Sequence, residues 1–324
     1  MQTNSLLLCC DWGTTNFRIQ LLEINTGNII ASETSDNGIA KVFAEWKETK
    51  HDNNYRIAFY YAVIEDHIRK IEKKINLSLQ QIPVVLSGMA SSRIGMMELN
   101  YKPLPFSTDG SDIIVEKLEK DDIIFREVYL ISGACTTDDV MRGEETQLIG
   151  CFDENSSSDG YYIFPGTHSK HVEVERDKAI SIQTFLTGEL FELLSQKSIL
   201  ASSIEKNNDF NSVHVEAFKK GIYKSLEVNF LHGCFSVRTN EIFNKLSKKE
   251  NYHFLSGLLI GTELKELNDK SEAVFIVGNA VLQNIYKIAL QQISSHISIH
   301  SLNSEETILK GQLKIYNNRL LIHN

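Results

Sequence analysis

The sequence predicts an α/β protein that is built from two related domains. Its 324 residues exceed the length at which a single hydrophobic core usually stops growing. Each half opens with apolar, strand-like segments on either side of a polar turn and then alternates between helices and strands. The polar, turn-rich segment 152–160 separates the halves, so we expect domains at 1–151 and 152–324, with the last helix packing back on the first domain.

The elements of the first half follow from the periodicity of its apolar residues. Continuous or alternating apolar residues predict strands, and apolar residues that recur every three or four positions predict helices. The predicted strands are 5–11, 17–24, 28–34, 82–88 and 127–133, and the predicted helices are 57–74 and 139–150.

The second half repeats this architecture after residue 160, with little identity in sequence. Three strands come first, at 160–164, 171–176 and 179–185. Helices are then predicted at 188–194, 213–230, 238–246 and 252–267, followed by a strand at 273–278, a helix at 280–290, a strand at 297–299 and a helix at 304–316.

The bulk composition argues against several classes of protein. A net charge of -9 disfavours nonspecific binding to nucleic acid. No apolar run approaches the ~20 residues of a membrane span, and the N-terminal segment lacks the basic region of a signal peptide. The five cysteines are scattered and form no CxxC motif, which predicts free thiols in a cytoplasmic protein.

The first polar turn, CDWGTTNFR, has the residue types of a phosphate-binding loop. Gly13 allows close approach of the backbone to a ligand, and Thr14 and Thr15 supply hydroxyls and backbone N–H groups. Asp11 has the chemistry to hold a magnesium ion, usually through water, and Arg18 can balance phosphate charge. An ordinary hairpin uses the same residue types, so this turn alone does not decide.

A second polar turn, PGTHSKHV, stands at the equivalent place in the second half. Gly166, Thr167, Ser169 and Lys170 give a flexible backbone, two hydroxyls and an ammonium group between two strands. Two such turns are far less expected by chance than one, and together they predict a nucleotide held between two related domains. A metal site at the two histidines of this turn is disfavoured, because their spacing gives poor ligand geometry.

The segment VFIVGNAV predicts a strand that ends at Gly278 and a helix that follows it. Junctions of this kind bind ligands at the carboxyl ends of strands in open α/β sheets. Gly278 is therefore a candidate to flank an adenosine, although a simple strand-to-helix turn has the same sequence.

The acidic segment DDVMRGEETQLIG supplies candidates for a catalytic base. A hydroxyl that accepts a phosphoryl group needs a carboxylate within hydrogen-bond reach to orient it and take its proton. Glu144 is the first candidate and Asp139 the second. A solvated acidic helix face is the alternative explanation of such a run.

Two further segments suggest contacts to a substrate. Arg93 and Lys102 are positive groups in a stretch that follows a predicted strand end, and an Arg is suited to bind a carboxylate with two hydrogen bonds. In TFLTGELFELL, Thr187 is expected to be the N-cap of a helix with Glu189 in its first turn, and a substrate contact there is the alternative.

With these segments in order, the chain resembles the 2-keto-3-deoxygalactonate kinase family, also called 2-dehydro-3-deoxygalactonokinase, over nearly its whole length. The segments that carry the resemblance are DWGTTNFR, SGMASSRIG, DDVMRGEETQLIG, PGTHSKHV, TFLTGELFELL and LSGLLIGTEL. The runs RGEETQ, PGTHSK and TGELF are specific to this family, whereas DWGTTN is widespread among sugar kinases.

The resemblance implies the fold of the sugar kinase, heat-shock ATPase and actin superfamily, in which two RNase-H-like domains close on ATP. It implies that MgATP phosphorylates the 6-hydroxyl of 2-keto-3-deoxy-D-galactonate in galactonate catabolism. It also implies site residues, which are Asp11 for magnesium, Gly13, Thr14, Thr15, Arg18, Gly166, Thr167, His168, Ser169, Lys170 and Gly278 for ATP, Glu144 or Asp139 for catalysis, and Arg93, Lys102, Arg142 and Glu189 for the sugar acid.

Three alternatives stay open at this point. Related kinases act on other sugar acids, and a hydrolase of the same fold would use a glutamate to activate water. A nucleotide or sugar-acid sensor without turnover is less favoured, because no helix-turn-helix segment precedes the kinase-like part. The expected partners are a small sugar acid and ATP, without nucleic acid or membrane, and the sequence leaves room for a homodimer.

Overall fold

The computed structural model describes residues 5–49, 52, 55–152, 159–267 and 272–321, and for residues 319–321 it describes the backbone alone. The chain divides into two compact units. The first comprises the described residues of Met1–Ser158, Val174–Ile182 and Ser304–Asn324, and the second those of Asp159–Glu173 and Gln183–Asn303. The predicted boundary between residues 151 and 152 stays a prediction, since residues 153–158 lie outside the described residues.

Among the described residues before 152, the first unit contains ten strands, most of them in a main sheet or a small sheet, and three α-helices. The strands are β1 (Leu6–Trp12), β2 (Phe17–Glu23), β3 (Ile29–Ser35), β4 (Val84–Gly88), β5 (Lys102–Pro103), β6 (Phe106–Ser107), β7 (Val115–Lys117), β8 (Val128–Ile131), β9 (Ala134–Cys135) and β10 (Val140–Met141). The helices are α1 (Ile39–Glu48), α2 (Arg56–Ile75) and α3 (Glu144–Gly150).

The main sheet of the first unit has the strand order β3-β2-β1-β4-β8-β7. Strands β1, β2 and β3 form an antiparallel meander, whereas β4 and β8 add parallel to β1. The first strand is almost entirely buried, as expected for the centre of a sheet that is covered on both faces. The carboxyl ends of β1 and β4 therefore lie side by side, with Asp11 paired to Ser87 and Trp12 paired to Gly88.

The elements of the second unit begin at residue 160. The strands are β11 (Gly160–Phe164), β12 (Ser169–Glu175), β13 (Lys178–Phe185), β14 (Ala273–Gly278) and β15 (Ser298–Asn303), of which the tip of the β12–β13 hairpin belongs to the first unit. The helices are α4 (Thr187–Gln196), α5 (Ser212–Glu227), α6 (Phe230–Ile242), α7 (Lys248–Leu264) and α8 (Ala280–Ile293), and the chain returns to the first unit with α9 (Ser304–Ile315).

The strands that begin in the second unit repeat the order of the first unit. Their order is β13-β12-β11-β14-β15, which matches β3-β2-β1-β4-β8 strand for strand. As in the first unit, β14 is parallel to β11, and β15 is parallel to β14. The predicted duplication of an RNase-H-like α/β arrangement is therefore confirmed.

The helix α9 packs on α3 within the first unit through two glycines. A Cβ on Gly150 would lie 1.8 Å from the carbonyl oxygen of Thr307, and a Cβ on Gly311 would lie 1.9 Å from that of Thr146. Such distances are too short for any side chain, so the two backbones meet directly. Gln312, on the same helix, donates to the carbonyl oxygen of Cys10 at 2.7 Å and to the hydroxyl of Ser87 at 2.8 Å.

The predicted helix 139–150 is wrong over its first five residues. Val140 and Met141 form β10, which pairs with β9, and the helix begins only at Glu144. The reason is Gly143, whose φ of 111° lies in the left-handed region that no helix interior uses. Asp139 therefore lies in the turn before β10 and not on a helix that it shares with Glu144.

Two other helices differ from the sequence prediction. The prediction missed α1, because the polar surroundings of residues 37–54 hid the apolar spacing of Ile39, Val42 and Trp46, which are buried. The predicted helix 238–246 lies eight residues later than the observed start of α6 at Phe230. None of the described helices is long and apolar enough to cross a membrane.

Candidate active site

The first polar turn is a tight connection between β1 and β2. Trp12 pairs with Phe17, and the N–H of Gly13 donates to the carbonyl oxygen of Asn16 at 2.9 Å. Thr14 and Thr15 are exposed, and within the described chain their N–H groups have no hydrogen-bond acceptor. The turn therefore presents hydroxyls and unused N–H groups, which is what a phosphate requires.

The start of α1 braces this turn from behind. The N–H groups of Ile39 and Ala40 donate to the carbonyl oxygens of Gly13 and Thr14 at 3.0 and 3.1 Å. A Cβ on the N-cap residue Gly38 would lie 2.2 Å from the carbonyl carbon of Thr15, so only glycine allows this approach. Gly38 is a site residue that the sequence prediction missed, although it directly precedes the apolar spacing of α1.

Asp11 stands at the carboxyl end of β1 and lines a cavity of about 520 Å³. The same cavity is lined by Gly13, Thr15 and Arg18. Burial raises the pKa of Asp11 to about 6, the charge of Arg18 opposes this rise, and the negative charges of Glu144 and Glu305 add to it. Arg18 itself forms an ion pair with Glu305 at 2.8 Å, so these charges form one coupled set.

Glu144 and Glu145 form an acidic pair at the start of α3. This pair lies close to Asp11. A Cβ on Gly143 would lie 3.5 Å from the Cα of Gly88, and a Cβ on Gly88 would lie 3.4 Å from Oδ1 of Asp11. Glu144 accepts a hydrogen bond from the N–H of Arg142 at 3.0 Å. The structure therefore brings Asp11 and Glu144 close enough for their charges to interact.

Glu145, the second acid of this pair, is fully buried. It accepts hydrogen bonds from the N–H of Gly143 at 2.7 Å and from the hydroxyl of Thr146 at 2.9 Å. Burial raises its pKa to about 8, and the neighbouring charge of Glu144 adds to the rise. Burial and the charge of Glu144 therefore both favour the protonated form of Glu145.

The residues predicted for the sugar acid have different surroundings. Arg142 donates to the carbonyl oxygen and the hydroxyl of Ser91 at 2.5 and 2.6 Å and stacks over Tyr101 at 4.2 Å, so it anchors the loop that carries Arg93. Lys102 forms an ion pair with Asp112 at 3.0 Å. The side chain of Arg93 is exposed, and within the described part of the chain it forms no ion pair.

The second polar turn connects β11 and β12 in the second unit. Apart from Gly166 and its two chain neighbours, no atom of the residues that the structure describes lies within 4 Å of the place where a Cβ on Gly166 would stand. Among the described residues nothing accepts from the N–H groups of Gly166 and Thr167. Lys170 is buried, and its ammonium group donates to the carbonyl oxygen of His168 at 2.9 Å.

The start of α4 braces the second turn as α1 braces the first. A Cβ on Gly188 would lie 2.6 Å from the carbonyl oxygen of Gly166, and the N–H of Glu189 donates to the carbonyl oxygen of Thr167 at 3.1 Å. The carboxylate of Glu189 pairs with His168 at 2.5 Å. Glu189 is thus in the first turn of the helix as predicted, and its present partner is the phosphate-type turn.

The predicted N-cap role of Thr187 is wrong. The N-cap is Leu186, which has no capping side chain, and the hydroxyl of Thr187 points inward and donates to Glu263. Glu263 lies on α7, is buried, and was not singled out in the sequence. The signal was present in the run GTEL, where a Glu follows a long apolar stretch of helix.

The third predicted element is a strand–Gly–helix junction, as expected. The strand β14 ends at Gly278, and α8 begins after Asn279, whose side chain accepts from the N–H of Leu282 at 3.0 Å. A Cβ on Gly278 would lie 3.8 Å from Pro165. The junction therefore adjoins the second phosphate-type turn, and its role toward adenosine stays a prediction.

The donor set near Asp11 fits magnesium. Mg²⁺ prefers oxygen ligands and is usually bound by one or two carboxylates together with phosphates and water. Asp11 offers only oxygen, and the repulsion that the nearby charge of Glu144 exerts on it is the kind that a divalent cation relieves. In the chain as described, no group of three or more His, Cys, Asp or Glu side chains could hold a metal ion, so phosphate oxygens would have to supply the other ligands.

Comparison with known proteins decides the family. The model of the 2-keto-3-deoxy-galactonokinase family matches residues 11–315. The chain belongs to this family. The match spans both turns, the acidic pair and the strand–Gly–helix junction, and it confirms the resemblance that the motifs indicate. Members of a kinase family use ATP as phosphoryl donor, so this member of the 2-keto-3-deoxygalactonokinase family is an ATP-dependent phosphotransferase.

Two curated relatives and one crystal structure agree with this assignment. The chain is 26% identical over 320 residues, 96% of each chain, to the "Probable 2-dehydro-3-deoxygalactonokinase" of Rhizobium meliloti (strain 1021). It is 28% identical over 301 residues to the 2-dehydro-3-deoxygalactonokinase of Escherichia coli (strain K12), covering 90% of this chain and 91% of that one. A crystal structure from Sinorhizobium meliloti, assigned to the same kinase, is 24% identical with a TM-score of 0.78 and covers 96% of this chain and 98% of that one. That likeness confirms the fold.

Proposed function

We propose that this chain transfers the terminal phosphoryl group of ATP to the 6-hydroxyl of 2-keto-3-deoxy-D-galactonate in the catabolism of galactonate. The observation that carries the proposal is the duplicated turn. Each unit presents an exposed turn with unused N–H groups, braced by a helix start through a glycine, in a chain that matches the kinase family from residue 11 to residue 315. The curated relatives are named for the same acceptor.

In this proposal both turns contact the phosphates of ATP. Gly13, Thr14, Thr15 and Arg18 contribute from the first unit, and Gly166, Thr167, His168, Ser169 and Lys170 from the second, with Gly278 toward the adenosine. Asp11 would hold magnesium, which when bound neutralises charge on the transferring phosphoryl group. Hydroxyls and N–H groups that are already held in place stabilise developing charge without reorganisation.

Glu144 is proposed to orient the acceptor hydroxyl and to take its proton. The oxygen of the 6-hydroxyl forms a bond to the terminal phosphorus of ATP, the bond from that phosphorus to the bridging oxygen breaks, and ADP leaves. The proton of the hydroxyl passes to the carboxylate of Glu144. Glu145 is less suited to this role, because it is fully buried and its burial favours the protonated form. Asp139 is the second candidate.

The carboxylate of the sugar acid is proposed to bind Arg93. Its guanidinium is exposed and is positioned by the loop that Arg142 anchors. Lys102 is already paired with Asp112, so its charge is partly compensated and its contribution would be smaller. Arg142 and Glu189 contribute indirectly in this proposal, by holding the loop and the second turn.

A coupled assay of ADP release tests the proposal. The acceptors are 2-keto-3-deoxygalactonate, its gluconate epimer, galactonate and a neutral sugar, each with MgATP, and a sample without acceptor gives the background. We expect fast turnover with the first compound and at least about tenfold lower kcat/KM with the neutral sugar, since an unpaired charged contact costs about 1.4 kcal/mol or more.

The other outcomes separate the alternatives. Turnover with only another sugar acid would support the proposed mechanism but assign the enzyme to a different pathway. Phosphate release without any acceptor would favour a hydrolase of the same fold, and nucleotide binding without turnover would favour a sensor. The cytoplasmic location and a homodimeric state stay predictions, which fractionation and sedimentation would test.

A further inference from the structure

A buried carboxylate in the second unit gathers hydrogen bonds from three different elements. Glu263 on α7 accepts from the hydroxyl of Ser169 at 2.7 Å, from Nε2 of His171 at 2.8 Å and from the hydroxyl of Tyr286 at 2.9 Å. The hydroxyl of Thr187 is its fourth donor. A carboxylate has about four acceptor positions, so this one is fully used.

The charge of this carboxylate is retained despite its burial. Burial alone raises the pKa of Glu263, but the hydrogen bonds from His171, Thr187 and Ser169 outweigh it, and the net pKa lies below the usual value. A carboxylate can only accept hydrogen bonds, so Nε2 of His171 carries its proton. Such a fully satisfied buried network holds its members in one arrangement.

The donors of this network bracket the second turn. Ser169 begins β12, directly after the turn residues Thr167 and His168, and Thr187 begins α4. The next residue of α4, Gly188, touches the backbone of Gly166 and Thr167. Glu263 therefore holds both segments whose contact defines the position of the turn, while its own side chain is 1% exposed.

We propose that Glu263 is the positioning residue of the second phosphate turn, acting through Ser169 and Thr187 without contact to either substrate. This inference rests on the proposed function, in which that turn contacts the phosphates of ATP. It assigns to the run GTEL of α7 a task that neither its helical periodicity nor the family match provides. The geometry predicts that a disturbance of this carboxylate reaches the nucleotide before it reaches the sugar acid.

The decisive comparison is Glu263→Gln against Glu250→Gln. Both replace a Glu of α7 by its amide, but Glu250 belongs to the capping box at the other end of the helix. In Glu263→Gln the negative charge is lost, and hydroxyls that donate to the carboxylate must turn to accept from the amide NH₂, so the charge-assisted hydrogen bonds become weaker neutral ones. We expect its Kd for MgADP, measured by titration calorimetry, to rise at least tenfold, whereas that of Glu250→Gln stays within twofold.

Steady-state kinetics give the second readout. For Glu263→Gln we expect the KM for ATP to rise at least tenfold and the KM for the sugar acid to change less than threefold. An equal rise of both KM values, or a folded Glu263→Gln protein with the wild-type Kd for MgADP, would overturn the inference.

A second pair of variants decides the matter if Glu263→Gln does not fold. Thr187→Val removes one donor to Glu263, and Thr187→Ser restores it. Weaker binding of MgADP by the valine variant with recovery in the serine variant supports the inference, and wild-type binding by the valine variant contradicts it. If the wild-type enzyme binds MgADP but phosphorylates no sugar acid, the proposed acceptor is contradicted. The binding comparison of the variants still tests the role of Glu263 in that case.

Discussion

Asp11 and Gly88 stand next to each other at the carboxyl ends of β1 and β4, and the backbone of Trp12 leaves no room for a side chain at Gly88. A Cβ on Gly88 would lie 2.8 Å from the carbonyl oxygen of Trp12 and 3.4 Å from Oδ1 of Asp11. The φ of Gly88 is 77°, a conformation that residues with a Cβ rarely adopt. The position of Asp11 therefore depends on a glycine in the neighbouring strand.

Replacing Gly88 by Ala should damage both stability and catalysis. The strained φ and the clash with Trp12 should lower the free energy of unfolding by about 1–3 kcal/mol, and displacement of Asp11 should lower kcat. Urea unfolding and the ADP-release assay measure the two effects. A Gly88→Ala protein with the unfolding midpoint and kcat of the wild type would contradict the predicted contact.

Gly166→Ala should leave stability nearly unchanged and impair the use of ATP. In the part of the chain that the structure describes, nothing beyond the two chain neighbours lies within 4 Å of the added Cβ, so the free energy of unfolding should change by less than about 0.5 kcal/mol. If the turn receives phosphate, the methyl group should hinder its approach and raise the KM for ATP several-fold. Thermal unfolding and ATP kinetics test this, and an unchanged KM would remove Gly166 from the proposed nucleotide contacts.

Glu144→Gln should lower kcat by about 10²-fold or more, because an amide cannot take the proton of the acceptor hydroxyl. The folded state should be little affected, since the amide oxygen can still accept from the N–H of Arg142. Asp139→Asn is the parallel test of the second candidate. If the asparagine variant loses kcat and Glu144→Gln retains it, the base is Asp139.

Arg18 and Glu305 should shift the pH profile of the enzyme in opposite directions. Burial holds the pKa of Asp11 near 6, the charge of Arg18 lowers it and that of Glu305 raises it. If Asp11 must be ionised to hold magnesium, the acid limb of kcat/KM should move to higher pH in Arg18→Gln and to lower pH in Glu305→Gln. Limbs that move in the same direction would show that another group limits the rate.

Glu145 should make the wild type lose stability as the pH rises. Its pKa is raised from the usual 4.5 to about 8 in the folded chain, so the folded state binds this proton more tightly than the unfolded state. The stabilisation is complete below pH 4.5 and is lost as the pH rises to about 8.

Glu145→Gln does not titrate at this position, and the hydroxyl of Thr146 can rotate to accept from its amide. Urea unfolding at pH 5 and at pH 8 should therefore show a steeper loss in the wild type than in this variant. Parallel curves would mean that Glu145 is ionised in the folded protein. Asp11, whose pKa is also raised, contributes a slope of the same sign in both proteins.

The sequence predicted the parts of the fold that local patterns encode. Buried strands such as β1 and β4, the two polar turns and the junction at Gly278 each have a continuous signal of apolar residues that ends in glycine or polar residues. The predicted site residues Asp11, Glu144 and Gly13 lie within one unit, near one another. What these patterns do not encode is contact between distant segments.

The missed features all depend on such contacts. Gly38, Gly88 and Gly188 are required by backbone that approaches from elsewhere in the chain, and no local pattern distinguishes them from ordinary turn glycines. The role of Glu263 depends on hydrogen-bond donors that lie 76–94 residues earlier and 23 residues later in the chain. The break of the predicted helix at Gly143 combines the positive φ of this glycine with the pairing of β10 with β9, which involves only two residues of each strand.

The glycine contact between α3 and α9 also determines when, during synthesis, the first unit can complete its folding. Residues 144–150 carry the acidic pair, yet the helix that covers them begins at Ser304, after the whole second unit has been translated. The ribosome therefore completes the second unit before it adds the last segment of the first unit. During synthesis the first unit must persist as an unfinished intermediate with an exposed helix surface, which is the kind of species that chaperones bind.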